Sequence, residues 1–307
     1  LLFTGGFASA RMTKGRKMLA GTRETVWSGG FLHSGFVTLF YLSACLTPAI
    51  AEKAPAPRRI VSDVLAADEI LAEIVSVERI AAVSAAVDNP AISNAAHRFG
   101  QTVRRHHGTV EEILSLHPDL VFVAAYSRPE TVSYFERAHV PVVRLSGNDS
   151  FRSIFVNIRI IGRAVGESAR SERLVQAMER ELAALSPVSG CGAPRVLYYS
   201  EGGITAGRNT VIDEMIFRSG GVNVAAQSGL AGSVEIPLEL LLSQAPEVIV
   251  LPGWLVDAPS PLLRQLTCDR RFASVPAVRR GAIYTVRSSA LTSLSQHAVQ
   301  GTSEMTR

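Results

Sequence analysis

Short β-branched runs alternate along this chain with stretches in which leucine and isoleucine recur at helical spacing, and one such combination occurs twice. The segment EEILSLHPDLVFVAAYS (111–127) aligns with ELLLSQAPEVIVLPGW (239–254), placing Pro118 on Pro246, Glu111 on Glu239, Leu114 on Leu242, Asp119 on Glu247 and Tyr126 on Trp254. Each copy predicts a short helix stopped at a proline, then an acidic residue, then an apolar run continuous enough to be a strand buried on both faces. Each strand then delivers an aromatic residue into the following loop. Ligands of open α/β sheets bind outside the carboxyl ends of the strands. Two copies of one unit therefore predict two similar lobes that present Tyr126 and Trp254 to a shared cleft.

The elements around the copies repeat in the same order. Before the first come a strand at Arg59-Ile60-Val61-Ser62, a helix holding Asp68-Glu69-Ile70-Leu71, a second strand near 79–84 and a polar, irregular stretch at 97–108. A strand at 139–145 follows it. Strands alternating with helices predict a parallel, doubly wound sheet. From 150 to 186 the pattern changes: Ile154, Ile158, Ile161, Val165, Val175, Met178, Leu182 and Leu185 keep helical spacing, with Asn148, Asp149 and Ser150 as N-cap candidates. This predicts one connecting helix of roughly 36 residues, about 54 Å long, with Gly162 and Gly166 as its weak points. The second half opens with a strand at 195–199 ending in Ser200-Glu201-Gly202-Gly203. A helix holding Asp213-Glu214-Met215-Ile216, the second copy and a last strand at 282–286 complete it.

With 307 residues, 47% apolar and 19% charged, the chain can bury a large core, and a two-domain body suits it better than disorder. Its net charge of +4 lies in residues 1–51, where Arg11, Lys14, Arg16, Lys17 and Arg23 face only Glu24. The neutral remainder argues against nucleic acid as a partner. Cations that cease at Arg23, followed by an apolar run at 36–51, predict a secretory signal peptide over 1–51, with Ala49-Ile50-Ala51 as cleavage site and 52–58 as linker. A rival reading makes Leu42-Ser43-Ala44-Cys45 a bacterial lipobox, with Cys45 lipidated as the first mature residue. A retained anchor fits less well, since a spanning helix needs about 20 apolar residues. All three place the body outside the cytoplasm. Met12 and Met18 are candidate starts, and the sequence leaves open whether Cys191 and Cys268 pair or stay isolated.

The repeated helix–Pro–acid–strand units, the stretch TAGRNTVIDEMIFRSGGVNVA (205–225) and the closing AIYTVRSSALTSLSQHAVQG (282–301) resemble the periplasmic binding proteins that serve ABC importers for iron-siderophore, haem and cobalamin. The resemblance covers about 58–304. It implies an α/β fold of two Rossmann-like lobes, 59–149 and 194–307, joined by a single long α-helix at 150–186. It further implies a rather rigid hinge, a periplasmic monomer with no resident cofactor and no catalysis, and the importer's membrane subunits as partners.

Catalytic signatures are missing from the sequence: there is no Gly-x-Ser-x-Gly elbow, phosphate loop, His-Glu-x-x-His or paired Cys-x-x-Cys. Two rival functions remain, a zinc or other metal-ion binder using His97, His106, His107, His117 and His139, and a doubly wound enzyme without recognisable motifs. His117 at a helix end and His139 before a strand read more simply as surface residues. Cleft candidates are the residues that leave strand ends: Ser62, Asp63, Tyr126, Arg128, Tyr199, Glu201, Trp254 and Arg287, with His97 from the irregular stretch. Aromatic walls supply contact area to a large chelate, and arginines meet anionic oxygens; the plainer alternative is that such aromatics cap a core. The resemblance also implies one exposed docking glutamate per lobe. Glu111 matches on the first lobe, with Glu112 beside it. On the second, Glu214 matches in one register and Phe217 takes its place in another.

Overall fold

The computed structural model describes residues 55–147, 149–185, 192–253 and 260–306; Cys45, Cys191 and Trp254 fall outside them. Residues 53–307 form one compact unit. Its first part runs β1 (Ile60–Ser62), α1 (Leu65–Ile74), β2 (Ile80–Ser84), β3 (Arg104–His106), α2 (Val110–Ser115), β4 (Leu120–Val123), α3 (Pro129–Arg137) and β5 (Val142–Arg144). These strands form a sheet of order β3-β2-β1-β4-β5 in which every pairing is parallel. All of β1 and β4 is buried, as expected of central strands covered on both faces. β3 lies inside the stretch expected to be irregular. It is a three-residue edge strand rich in arginine, a composition that blunts an edge and hides it from a hydrophobic pattern.

The connecting segment is not one straight helix. It consists of α4 (Phe151–Ala164) and α5 (Ser168–Ala184), with a turn at Gly166, whose φ of +78° suits glycine. Ser150 caps α4 through a reciprocal capping box with Ser153. The helices then fold back on each other: Arg159 pairs with Glu172 at 2.8 Å, and a Cβ on Gly162 would lie 2.0 Å from the Ser171 Oγ. The turn is anchored on the first sheet's helix layer by Arg79, which reaches the Val165 carbonyl at 2.6 Å and the Glu167 carboxylate at 3.1 Å. Only α5, about 25 Å long by its 17 residues, runs on toward the second part.

That part comprises β6 (Arg195–Tyr198), β7 (Ile204–Ala206), α6 (Val211–Arg218), β8 (Val222–Asn223), α7 (Val224–Gln227), β9 (Ser233–Glu235), α8 (Leu238–Gln244), β10 (Val248–Gly253), α9 (Pro261–Cys268), α10 (Pro276–Arg280), β11 (Ile283–Arg287), α11 (Ser288–Leu291) and α12 (Ala298–Met305). Its parallel sheet has order β11-β10-β6-β8, and β7 with β9 makes a separate antiparallel pair. One cluster of buried side chains runs from Ile60, Ile70 and Phe122 through Ile154, Ile158 and Val175 to Val196, Val250 and Leu291. Helices α4 and α5 thus join the two sheets by packing as well as by covalent connection.

The repeat has a structural cause. The acidic residue behind each proline caps the first strand of its own sheet: Asp119 accepts from the Arg58 and Arg59 amides at 2.7 and 2.9 Å, and Glu247 accepts from the Arg195 amide at 3.1 Å. In return, Arg59 donates to the Leu116 and His117 carbonyls at the end of α2, and Arg195 donates to the Gln244 carbonyl at the end of α8. Cations there complement the helix dipole. His117 and Ala245, each just before the proline, both adopt positive φ, so the two helices stop in the same way.

Candidate functional site

Each parallel sheet has one switch point, where crossovers on one side meet crossovers on the other, and there a crevice opens beyond the strand ends. It lies between β1 and β4 in the first sheet and between β6 and β10 in the second. The residue following the first strand sits at the same register position in both: the Asp63 amide donates to the Phe122 carbonyl and the Tyr199 amide to the Val250 carbonyl, each at 3.0 Å. The predicted strand-end residues therefore flank matching switch points, Ser62, Asp63, Tyr126 and Arg128 on the first and Tyr199 and Glu201 on the second.

Their surroundings differ. Tyr126 is 80% exposed in the loop behind β4, and exposed Arg128 occupies the N-cap position of α3. Ser62 is fully buried; its hydroxyl donates to the Val64 carbonyl at 3.1 Å, so it closes the β1–α1 turn and does not face a ligand. Asp63 is partly exposed, and burial raises its carboxyl above the ordinary range; the Nδ1 of His106 lies 3.9 Å from it. His106 itself is buried. Its Nδ1 accepts from the Gly108 amide at 3.1 Å, which leaves Nε2 to donate to the Ser62 carbonyl at 2.8 Å. Behind this pair lies Asp68, wholly enclosed, with its carboxyl pushed well up by burial and its Oδ1 without a partner among the described residues.

On the second sheet Tyr199 belongs to the core. It is 7% exposed and meets Phe272 edge-on with ring centroids 6.4 Å apart, and burial raises its hydroxyl. Exposed Glu201 sits on the turn before β7. Arg287 leaves β11 but pairs with Glu304 of α12 at 2.6 Å, which draws its guanidinium along the helix layer. His97 is exposed on the β2–β3 loop, and His107, His117 and His139 are exposed elsewhere. Among the described residues no group of three or more His, Cys, Asp or Glu could hold a metal ion. Cys268 is free and exposed. A cavity of about 620 Å³ lined by Val196, Ile216, Val248, Val250, Tyr284 and Met305 opens against one face of β6, β10 and β11.

The two docking candidates also part. Glu111 is exposed in the first turn of α2. Glu214 is committed internally: it accepts from the Phe151 amide at the start of α4 at 2.8 Å and pairs with Arg218 at 2.6 Å. The alternative-register residue Phe217 is 76% exposed. The position equivalent to Glu111 is Glu239, exposed in the first turn of α8. The signal for it was the repeat, which sets Glu111 on Glu239 directly.

Two parallel α/β lobes with matching switch points, joined through a helix, define a two-lobed binding protein. The family model described as periplasmic binding protein matches residues 60–290, and the chain belongs to that family. It is 26% identical to the periplasmic heme-binding protein RhuT from Roseiflexus sp. RS-1 in apo form, covering 82% of this chain and 97% of that one with a TM-score of 0.70. A cobalamin-binding protein of Halobacterium salinarum is 32% identical over 145 residues, 46% of this chain and 39% of that protein, so the match spans about two fifths of that relative's length. The uncharacterized ABC transporter substrate-binding lipoprotein YvrC of Bacillus subtilis is 22% identical over 212 residues, 64% of this chain and 63% of that one.

Proposed function

We propose that this protein captures a large metal chelate, a haem or corrinoid in preference to an iron-siderophore, between the strand ends of its lobes and delivers it to the membrane subunits of an ABC importer. The observation that carries the reading is the pair of matching switch points, flanked on one side by Asp63, exposed Tyr126 and Arg128 and on the other by Glu201. The names of the haem-binding and cobalamin-binding relatives support a tetrapyrrole as ligand. An exposed aromatic and a nearby arginine suit its planar face and its anionic substituents. Capture and release need no chemistry from the protein, and the scattered histidines give a metal-ion binder little to work with.

Docking is assigned to Glu111 and Glu239, the exposed acids at equivalent points of the two lobes, where rim charges set encounter rate and orientation. The body acts outside the cytoplasm after export. No helix among the described residues is long and apolar enough to cross a membrane, and attachment through lipidated Cys45 is the form of anchoring the leader supports. Mass analysis of exported protein beside Cys45→Ala tests that part. For the ligand, residues 53–307 are titrated with hemin, cyanocobalamin and a ferric hydroxamate while the absorption spectrum is followed. A saturable one-to-one spectral change at micromolar concentration or below with hemin or cyanocobalamin is expected; no saturable change with any of the three overturns the proposal.

A further inference from the structure

Glu69 of α1 is 2% exposed, and among the described residues no ion pair meets it. Its carboxylate is held by neutral donors from two places far apart in sequence. Oε1 accepts from the Asn94 amide at 2.7 Å and from Asn94 Nδ2 at 2.9 Å, while Oε2 accepts from the Ser293 and Ser295 hydroxyls at 3.1 and 2.5 Å. The ties run further. Asn94 Nδ2 also donates to the Ser289 carbonyl at 2.6 Å, and Gln296 Nε2 donates to the Glu69 carbonyl at 2.9 Å. Asn94 lies on the loop that leaves the carboxyl end of β2. Residues 288–297 are the stretch that leaves the carboxyl end of β11. Around the hub, Leu291, Ala298 and Val299 share a core with Ile70, Leu71 and Ile74.

A buried carboxylate is tolerated only when its oxygens are satisfied, so this hub stands only while the stretch behind β11 stays seated on the first lobe. We propose that Glu69 is a positioning residue for ligand capture: it pins residues 288–297 of the second lobe to α1 and the β2–β3 loop, and so sets the spacing of the two switch points. This rests on the reading of those switch points as the ligand site. Removing the carboxylate frees the seam without touching either parallel sheet, and ligand affinity falls by the fraction of molecules whose lobes lose the competent spacing.

The test compares Glu69→Gln with wild-type 53–307, and Ser293→Ala/Ser295→Ala releases the same seam from the opposite side should the first variant fold poorly. Leu241→Ala, in the second-lobe core away from the seam and off the labelled helix, serves as a control for plain destabilisation. Spin labels on Cys268 and on Arg137→Cys, in a Cys191→Ser background, report the distance between lobes. Seam variants are expected to broaden the distance distribution of the ligand-free protein and to weaken hemin or cyanocobalamin binding about tenfold, while the control changes neither. An unchanged distribution in the seam variants overturns the proposal, as does a broadened one with full affinity. If neither probe binds wild type, the ligand reading fails, and the distance arm still decides whether Glu69 holds the lobes.

Discussion

Replacing Gly162 with alanine gives opposite results for a straight connecting helix and for the α4–α5 hairpin. In a straight helix the change gains about 1 kcal/mol of helix propensity. In the folded hairpin the new Cβ would sit 2.0 Å from the Ser171 Oγ and 2.3 Å from its Cβ. Ser171 is 1% exposed, and its hydroxyl donates to the Ser168 carbonyl at 2.9 Å. Rotating that hydroxyl does not relieve the Cβ contact. Carbon atoms pack at about 3.5–4.0 Å, so the helices must part by more than about 1 Å, and overpacking of this kind costs about 1–3 kcal/mol. The expected net loss is up to about 2 kcal/mol, a fall in Tm of up to roughly 8 °C, followed by circular dichroism on heating. Adding Ser171→Gly should recover much of it, with a coupling energy of about 1–3 kcal/mol in the double-mutant cycle. A Gly162→Ala protein that melts higher than wild type would refute the hairpin argument.

Two further perturbations follow from the site. Asp68 prefers its protonated form in the folded state because burial raises its pKa well above the usual value; the native state therefore binds more protons than the unfolded chain above about pH 4, and this group's contribution to stability declines as pH rises through that window. Asp68→Asn should match wild type near pH 4 and exceed it increasingly toward neutrality in urea melts, and a gap that narrows with rising pH contradicts the assignment. Glu111→Ala and Glu239→Ala should leave ligand binding intact while slowing association with the membrane subunits and flattening its salt dependence; stopped-flow mixing with permease in detergent checks this, and unchanged rates would remove both residues from the docking surface.

The repeat was legible because Pro118 and Pro246, with the acids behind them, do the same job in both sheets, and a job done by neighbouring residues leaves its mark at fixed spacing. The hairpin was not. Apolar residues keep a helical rhythm up to Val165 and resume it at Val175, and the interval holds Ser171 because α4 crosses there at Gly162. A small residue facing a glycine signals close approach only once the partner is known. Tyr199 looked like a cleft wall from its place at a strand end, but its ring completes a core with Phe272, 73 positions further along the sequence by the residue numbers. The pairing of Arg287 with Glu304 and the seating of Ser293 and Ser295 on Glu69 are likewise made between positions that no local periodicity links. Asp63, Tyr126 and Arg128 fall just beyond strand ends, as the sequence predicts, because that placement depends only on where a strand stops.

Trp254 is the sole tryptophan of residues 53–307, and the repeat aligns it in sequence with Tyr126, which predicts that its emission responds to a ligand held between the lobes. Hemin and cyanocobalamin are titrated separately into wild type and into Tyr126→Ala, whose exposed side chain can be removed within about 0.5 kcal/mol of wild-type stability. Saturable quenching by one of the two ligands is predicted, with affinity lowered about tenfold in Tyr126→Ala as an aromatic contact of about 1–1.5 kcal/mol is lost. Emission that neither ligand quenches saturably, or quenching that Tyr126→Ala leaves unaltered, would contradict a ligand site between the two lobes.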